Sequence, residues 1–246
     1  MTNARTVSDT KRAFYTLHTR PINSIYRRVV DELMVEMHLL SVNVDYRYDP
    51  IYALGVVSSF DRFMQFYRPE VDKASIFSAL CRSLEADPQQ YRQDAEQLQG
   101  LAKQLPIKDL ILKFSQPDLL GEPAELREFL RGRVAQTTPF KYSRLFAIGL
   151  YSLLELSDPE ATKEEAQRNA LLKQFCEGLH LPEDKVTKDL ELYRSNLEKI
   201  AQAQIVLEDI LQADRKKREQ RAQEKAGTTT PELAPDLPQD GAASGS

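Results

Sequence analysis

The sequence predicts an all-α protein: a compact multi-helix body, a long C-terminal coiled-coil-like helix and a disordered tail. Three observations lead to this prediction. Only 9 of the 246 residues are glycine, and runs of β-branched residues are few, so strands have little support. Apolar residues recur at helical spacing along most of the chain. Proline also follows a residue that can cap a helix at several points. Hydrophobic residues make up 41% of the chain, which is enough for a core.

Four dipeptides predict helix starts: Asp49-Pro50, Asp87-Pro88, Thr138-Pro139 and Asp158-Pro159. The side-chain oxygen of the first residue can accept hydrogen bonds from the free backbone N–H groups of the first turn. Proline suits the first helical position, because the N–H group that it lacks would have no partner there. These junctions divide the chain into pieces of helical length.

The spacing of apolar residues then predicts the helices in order. They span residues 8–18, 21–42, 50–67, 71–85, 88–104, 107–114, 124–135, 139–156 and 159–179. In the second helix, Arg27 and Arg28 lie four residues before Asp31 and Glu32, and each such pair contributes a few tenths of a kcal/mol. The third and eighth helices are apolar on nearly all sides, which is typical of helices at the centre of a domain.

A continuous helix is predicted from residue 182 to about residue 225. Apolar positions alternate there in steps of four and three, which is the pattern of a coiled coil. The positions are Val186, Leu190, Tyr193, Leu197, Ile200, Gln204, Leu207 and Leu211. Such a helix would be roughly 65 Å long, so its far end is expected to project. The predicted organisation is a body over 1–181, a projecting helix over 182–226 and a disordered tail over 227–246.

The pattern leaves open what this apolar seam contacts: the body of the same chain, a second copy or another protein. Gln204 at a seam position could fix the register of a dimer, or it could mark where the seam leaves the core.

Composition argues against several classes of protein. A net charge of −4 and an isoelectric point near 5.6 do not favour non-specific nucleic-acid binding. The longest apolar runs, 51–60 and 145–154, are about half the length that a membrane span needs. Cys81 and Cys176 lie in apolar helical contexts and are expected to be buried thiols. The N-terminal residues lack the apolar stretch of a signal peptide, so a cytoplasmic protein is expected.

The search for catalytic or metal-binding motifs gives no candidate site. Dinucleotide, phosphate-loop, zinc-protease and serine-hydrolase patterns are absent from the sequence. Glu177 and His180 form a single Glu-x-x-His string, but a di-iron bundle needs two such strings and further glutamates. We therefore expect no catalytic residue, metal, cofactor or small-molecule substrate.

Two groups of residues are candidate contact sites. Tyr46, Arg47 and Tyr48 form a loop between two helices, and tyrosine and arginine are enriched at binding hot spots. With Arg27 and Arg28 they form a predicted partner-binding surface. The alternative interpretation is that the tyrosines brace the helix junction while Arg47 pairs with a neighbouring acid.

The second group is basic and lies near the end of the long helix. Its members are Arg215, Lys216, Lys217 and Arg218. It could be a solvated helix end, or it could contact an anionic membrane surface, where each basic residue contributes about 1 kcal/mol. Glu219 and Glu224 dilute its charge.

The N-terminal region resembles the thylakoid formation protein family, also called a photosystem II biogenesis family. The resemblance is carried by TVSDTKRAFYTLHTRPINSIYRRVVDELMVEMHLLSVN, by YDPIYALG and by FDRFMQFY, and it extends to about Leu211. It implies an all-helical, non-enzymatic accessory protein of thylakoid organisation and of photosystem II assembly and repair. It also implies association with FtsH-type membrane proteases. The family has no agreed catalytic residues to transfer.

Without a plastid transit peptide, the chain is expected to be of the cyanobacterial type, peripheral on the cytoplasmic face of the thylakoid membrane. Three hypotheses follow. The first is a protein that binds and stabilises an FtsH-type protease complex, with photosystem II components as further partners. The second is a peripheral protein that organises membranes by binding anionic thylakoid lipid through the basic helix end. The third is a metal-dependent helical-bundle enzyme.

Overall fold

The computed structural model describes residues 5–227, except for the side chains of 207, 208, 211, 214 and 221–227. Throughout that part the regular structure is helical and no strand occurs, which confirms the all-α prediction. The α-helices are α1 Val7–Leu17, α2 Ser24–Ser41, α3 Pro50–Phe63, α4 Val71–Arg82, α5 Pro88–Gln104, α6 Ile107–Ser115, α7 Ala124–Val134, α8 Arg144–Ser157, α9 Pro159–Lys163, α10 Glu165–Gly178 and α11 Glu183–Gly227. A 3-10 turn, Pro117–Leu119, precedes α7.

Three of the four predicted helix starts are confirmed. The carboxylate of Asp49 accepts a hydrogen bond from the N–H of Tyr52 at 2.8 Å. Asp87 accepts one from Gln89 at 2.9 Å, and Asp158 accepts one from Ala161 at 2.9 Å. In each case proline occupies the first turn, so the local sequence alone sets where α3, α5 and α9 begin.

The prediction of the fourth helix start, at Thr138-Pro139, is wrong. Helix α8 begins at Arg144, and the Ser143 hydroxyl caps it by accepting a hydrogen bond from the N–H of Phe146 at 3.1 Å. The residues before Ser143 bring Phe140 against Phe146, with ring centroids 5.0 Å apart. Packing of this partly buried aromatic side chain against the core therefore sets the path of the chain here, and the local capping signal does not.

Other helix limits also differ from the prediction. Helix α2 starts at Ser24 rather than at residue 21, because Asn23 provides the cap. Helix α3 ends at Phe63 rather than at residue 67, ahead of Pro69, which a helix cannot easily include. The helix predicted over 159–179 is divided at Glu164, which has an extended backbone.

Helices α3 and α8 cross at the centre of the body. All residues from Pro50 to Phe60 and from Leu145 to Leu154 are buried, which confirms that these two helices are central. The backbones touch where they cross. A methyl group added at Gly55 would lie 1.7 Å from the carbonyl oxygen of Leu145, and one added at Gly149 would lie 2.0 Å from that of Ile51. The two glycines therefore permit the close approach.

The chain divides into two units, Met1–Ile200 and Ala201–Ser246. Within the first unit the start of α11 packs into the core: Val186, Leu190 and Tyr193 are buried, and Leu197 packs against them. Tyr193 also meets Phe63 edge-on, with ring centroids 5.5 Å apart. The first part of the predicted seam therefore contacts the chain's own body. The side chains of Leu207 and Leu211, and the predicted tail after Gly227, lie outside the described residues.

Candidate interaction surface

Residues 42–49 connect α2 to α3, and we call them the α2–α3 corner. Asn43 organises it: its N–H donates to the carbonyl of Leu40 at 3.0 Å, and its own carbonyl accepts from the N–H of Tyr46 at 3.1 Å. Its side-chain oxygen accepts from the N–H of Asp45 at 3.0 Å. Asparagine is favoured in turns because its side chain can bond to nearby backbone in this way.

The two corner tyrosines pack against the body. Tyr46 meets Tyr52 of α3 edge-on at 5.5 Å between ring centroids, and Tyr48 meets Tyr91 of α5 at 5.2 Å. The hydroxyl of Tyr48 donates to the carboxylate of Asp94 at 2.6 Å. The tyrosines therefore brace the helix junction, as one of the two sequence interpretations has it.

Arg47 is exposed, and its environment differs from that interpretation. Its guanidinium donates to the carbonyls of Val44 and Tyr46, at 3.1 and 2.7 Å, so it pairs with its own loop and not with a neighbouring acid. The guanidinium thus satisfies two backbone carbonyls of the corner.

Three apolar side chains in this corner or in the last turn of α2 are more than half exposed. Leu39 is 59% exposed, Val42 is 51% exposed and Val44 is 84% exposed. We call them the corner patch. Sequence analysis missed it. Leu39 lies off the Leu33, Met37 and Leu40 stripe that α2 buries, and that offset was the one available signal.

The structure does not bring Arg27 and Arg28 to this corner. Fourteen residues separate Arg28 from Val42, which is about 21 Å along a helix. Arg28 forms the predicted ion pair with Glu32 at 2.9 Å. Asp31, predicted to pair with Arg27, pairs instead with Lys11 of α1 at 3.0 Å.

Behind the corner lies a pocket of about 250 Å³, which we call the tyrosine pocket. Tyr46, Tyr48, Tyr52 and Tyr91 line it, together with the end of α2, the turn before α5 and the first turn of α5. Burial raises the pKa of each of the four phenols above the usual value for tyrosine, so all four are neutral at physiological pH. Asp87 is the single charged residue among those that line the pocket.

Asp49 and Arg133 are a buried acid and a buried base below the corner. Burial raises the pKa of Asp49 to about 7, and the N–H groups of Tyr52 and Ile51 and the charge of Arg133 oppose that rise. The Arg133 guanidinium donates to the carbonyls of Leu179 and His180 and lies 4.3 Å from the ring centroid of Phe140.

The described residues offer little for catalysis. Cys81 and Cys176 are buried, as predicted, and burial raises the pKa of their thiols to about 12 and about 11, so neither is an activated nucleophile. Within 5–227, and setting aside the undescribed side chains, no three His, Cys, Asp or Glu residues are grouped to hold a metal ion.

The Glu177–His180 string coincides with the end of α10. That helix ends at Gly178, and His180 has a positive φ of 52°.

In the second unit, the four basic residues Arg215, Lys216, Lys217 and Arg218 are all exposed on α11. Arg215 forms an ion pair with Glu219 at 3.1 Å, four residues further along the helix. The described apolar residues Ile205, Val206 and Ile210 are also exposed on this part of the helix.

Comparison with known proteins identifies the family. The family model of the thylakoid formation protein matches residues 6–222, which is most of the chain. The chain belongs to the thylakoid formation protein family. Protein Thf1 of Nostoc punctiforme is 63% identical over 231 residues, covering 94% of this chain and 98% of that protein. Protein Thf1 of Acaryochloris marina is 52% identical over 240 residues, covering 96% of each.

A solved structure of Psb29 has the same fold. It is 46% identical, with a TM-score of 0.76, and the match covers 87% of this chain and 99% of that one. The family is described by a process, thylakoid formation, and not by a reaction. Among the helices described, none combines the length and the apolar character that crossing a bilayer requires.

Proposed function

We propose that this member of the thylakoid formation family is a non-enzymatic accessory protein of thylakoid biogenesis and of photosystem II assembly and repair. It binds and stabilises an FtsH-type membrane protease complex, and it acts peripherally on the cytoplasmic face of the thylakoid membrane. The family supports the process, and the earlier resemblance suggests the protease. The observation that carries the binding role is the corner patch, Leu39, Val42 and Val44.

The corner patch combines exposed apolar side chains with a rigid support. Leu39, Val42 and Val44 are close in sequence, and exposed apolar side chains that lie together on a surface mark sites of contact with other molecules. The α2–α3 corner is fixed by the bonds of Asn43 and by the packing of Tyr46 and Tyr48, so little conformational entropy is lost when a partner covers it. Arg47, exposed beside Val44, adds a polar rim of the kind that surrounds an apolar hot spot.

Replacing Val44 with aspartate should weaken capture of the protease complex at least tenfold. The substitution puts a charge in the centre of the contact, and a loss of about 1.4 kcal/mol is a tenfold change. Val44 packs against little in the free protein, so the fold should be unaffected. The measurement is recovery of the FtsH-type protease from solubilised thylakoid membranes on the purified, tagged chain.

The matched control is Val71→Asp, because Val71 is also exposed (75%) and lies in the first turn of α4, where an acid is tolerated. Equal recovery with Val44→Asp, Val71→Asp and the unaltered chain would exclude the corner patch. Tyr48→Ala is less informative, because it also removes the bond to Asp94 and the contact with Tyr91.

A second candidate function is peripheral organisation of the membrane, favoured by the exposure of Arg215, Lys216, Lys217 and Arg218. Changing all four to glutamine should abolish salt-sensitive binding of the full chain to vesicles of anionic lipid, since each basic residue contributes about 1 kcal/mol near such a surface. Vesicle flotation at low and high salt measures this. Binding that is unchanged by salt or by the substitutions would rule this function out.

A further inference from the structure

We propose that the tyrosine pocket binds an organic ammonium ion, such as a quaternary ammonium head group or an alkylammonium chain end. Four aromatic rings line the pocket, its one charged lining residue is an acid, and its size suits a single small head group. The first two observations favour a cation over an anion or a neutral ligand, and the third limits its size.

The aromatic lining of the pocket consists of four tyrosines. Tyr46, Tyr48, Tyr52 and Tyr91 form a chain of edge-to-face contacts, with angles between ring planes of 74°, 64° and 69°. The four rings therefore form one continuous aromatic cluster along the pocket. The face of an aromatic ring carries negative electrostatic potential and attracts ammonium groups, and cages of this kind bind choline and methylated lysine.

The acidic side chains at the pocket and behind its wall also favour a cation. Asp87 lies at its rim; one of its oxygens accepts from the N–H of Gln89, and no hydrogen bond from the described residues reaches the other. Tyr48 and Gln90, which both line the pocket, donate to the carboxylate of Asp94 at 2.6 and 2.9 Å, so a second negative charge lies directly behind the wall. Lysine and arginine do not line this pocket, and the guanidinium of Arg47 is directed to the carbonyls of Val44 and Tyr46.

Size limits the ligand. Pockets that take drug-sized molecules usually have volumes of about 300–1,000 Å³. The tyrosine pocket, at about 250 Å³, is smaller and suits a trimethylammonium group or the end of a lysine side chain. These two sources share one chemistry, an alkylated ammonium group, and differ in whether the group belongs to a small molecule or to a protein.

The test is a titration of the full chain with choline and with its neutral isostere, 3,3-dimethylbutan-1-ol. Shifts of the tyrosine ring resonances in NMR spectra report binding. We expect saturable binding of choline that is at least tenfold tighter than that of the alcohol. A parallel titration with N-acetyl-trimethyllysine methylamide separates the sources: tighter binding than choline would assign the cation to a protein side chain.

Two substitutions test the site itself. Asp87→Asn should keep the start of α5, since asparagine caps helices as well as aspartate does, and should weaken choline binding several-fold. Tyr48→Phe keeps the ring and should keep choline binding, whereas Tyr48→Leu should lose it; circular dichroism checks that each variant is folded. Equal affinity for choline and the alcohol, or no saturable binding of any ammonium in the millimolar range, would overturn the proposal.

Discussion

Adding one methyl group at Gly55 or at Gly149 should lower the melting temperature by about 6–12 °C. The new Cβ atom would lie 1.7 Å from the carbonyl oxygen of Leu145 in the first case and 2.0 Å from that of Ile51 in the second. The obstacle is backbone of a central helix and not a side chain that can turn away. Overpacking of a core costs about 1–3 kcal/mol, and the upper end applies here because two helices must separate. Each kcal/mol lowers the melting temperature by about 2–4 °C in a protein of this size.

Gly100→Ala is the matched control for Gly55→Ala and Gly149→Ala. Gly100 is also inside a helix, α5, but a methyl group there would meet no atom within 4 Å. Alanine is preferred to glycine inside a helix by about 1 kcal/mol, so this variant should be slightly more stable than the unaltered chain. Thermal unfolding followed by circular dichroism compares the three. If Gly55→Ala is as stable as Gly100→Ala, α3 and α8 do not touch where the structure places their contact.

Local signals in the sequence were enough to predict much of the fold. The caps at Asp49, Asp87 and Asp158 depend on side chains within three residues of the N–H groups that they accept from, so tertiary structure is not needed to recognise them. The central position of α3 and α8 also follows from the sequence, because a helix without a polar face must be buried on all sides.

Features that depend on distant residues were not predictable. The path before Ser143 is set by contact between Phe140 and Phe146, and only the folded body shows that this contact outweighs the capping signal at Thr138. A break at Glu164 has no glycine or proline to announce it.

The candidate site shows the same division. Sequence analysis placed a surface corner at Tyr46, Arg47 and Tyr48, because tyrosine, arginine and aspartate crowd between two strongly helical segments. It could not show that Tyr52 and Tyr91 complete a pocket with them, since those residues come from α3 and α5. It also gave no role to Leu39, and only the folded structure shows that this side chain is 59% exposed.

Replacing Arg133 with methionine should cost about 1–3 kcal/mol of stability, the usual penalty for leaving a buried hydrogen-bond acceptor without its donor. Methionine fills a similar volume but donates no hydrogen bonds. The carbonyls of Leu179 and His180 would lose their donor, and buried Asp49 would lose a nearby positive charge.

Arg131→Met is the control on the same helix: Arg131 pairs with Asp118 at the surface, and such a pair contributes at most about 1 kcal/mol. Chemical unfolding of both variants and of the unaltered chain gives the loss in free energy of unfolding for each substitution.

The pH dependence of the Arg133→Met cost tests the role of Asp49. The pKa of Asp49 is about 7 in the folded chain, above its usual value of 3.8, so the folded state binds more protons than the unfolded state between these values. The stability that Asp49 contributes is therefore present in acid and lost as the pH rises through 7. Without Arg133 the pKa of Asp49 rises further, so the cost of Arg133→Met should grow from pH 5 to pH 8.

In a chain that carries Asp49→Asn, which keeps the cap of α3 but cannot ionise, the cost of Arg133→Met should be smaller and independent of pH. A cost that is the same at every pH in both backgrounds would mean that Arg133 stabilises the fold through its carbonyl partners alone, and that the charge of Asp49 does not depend on it.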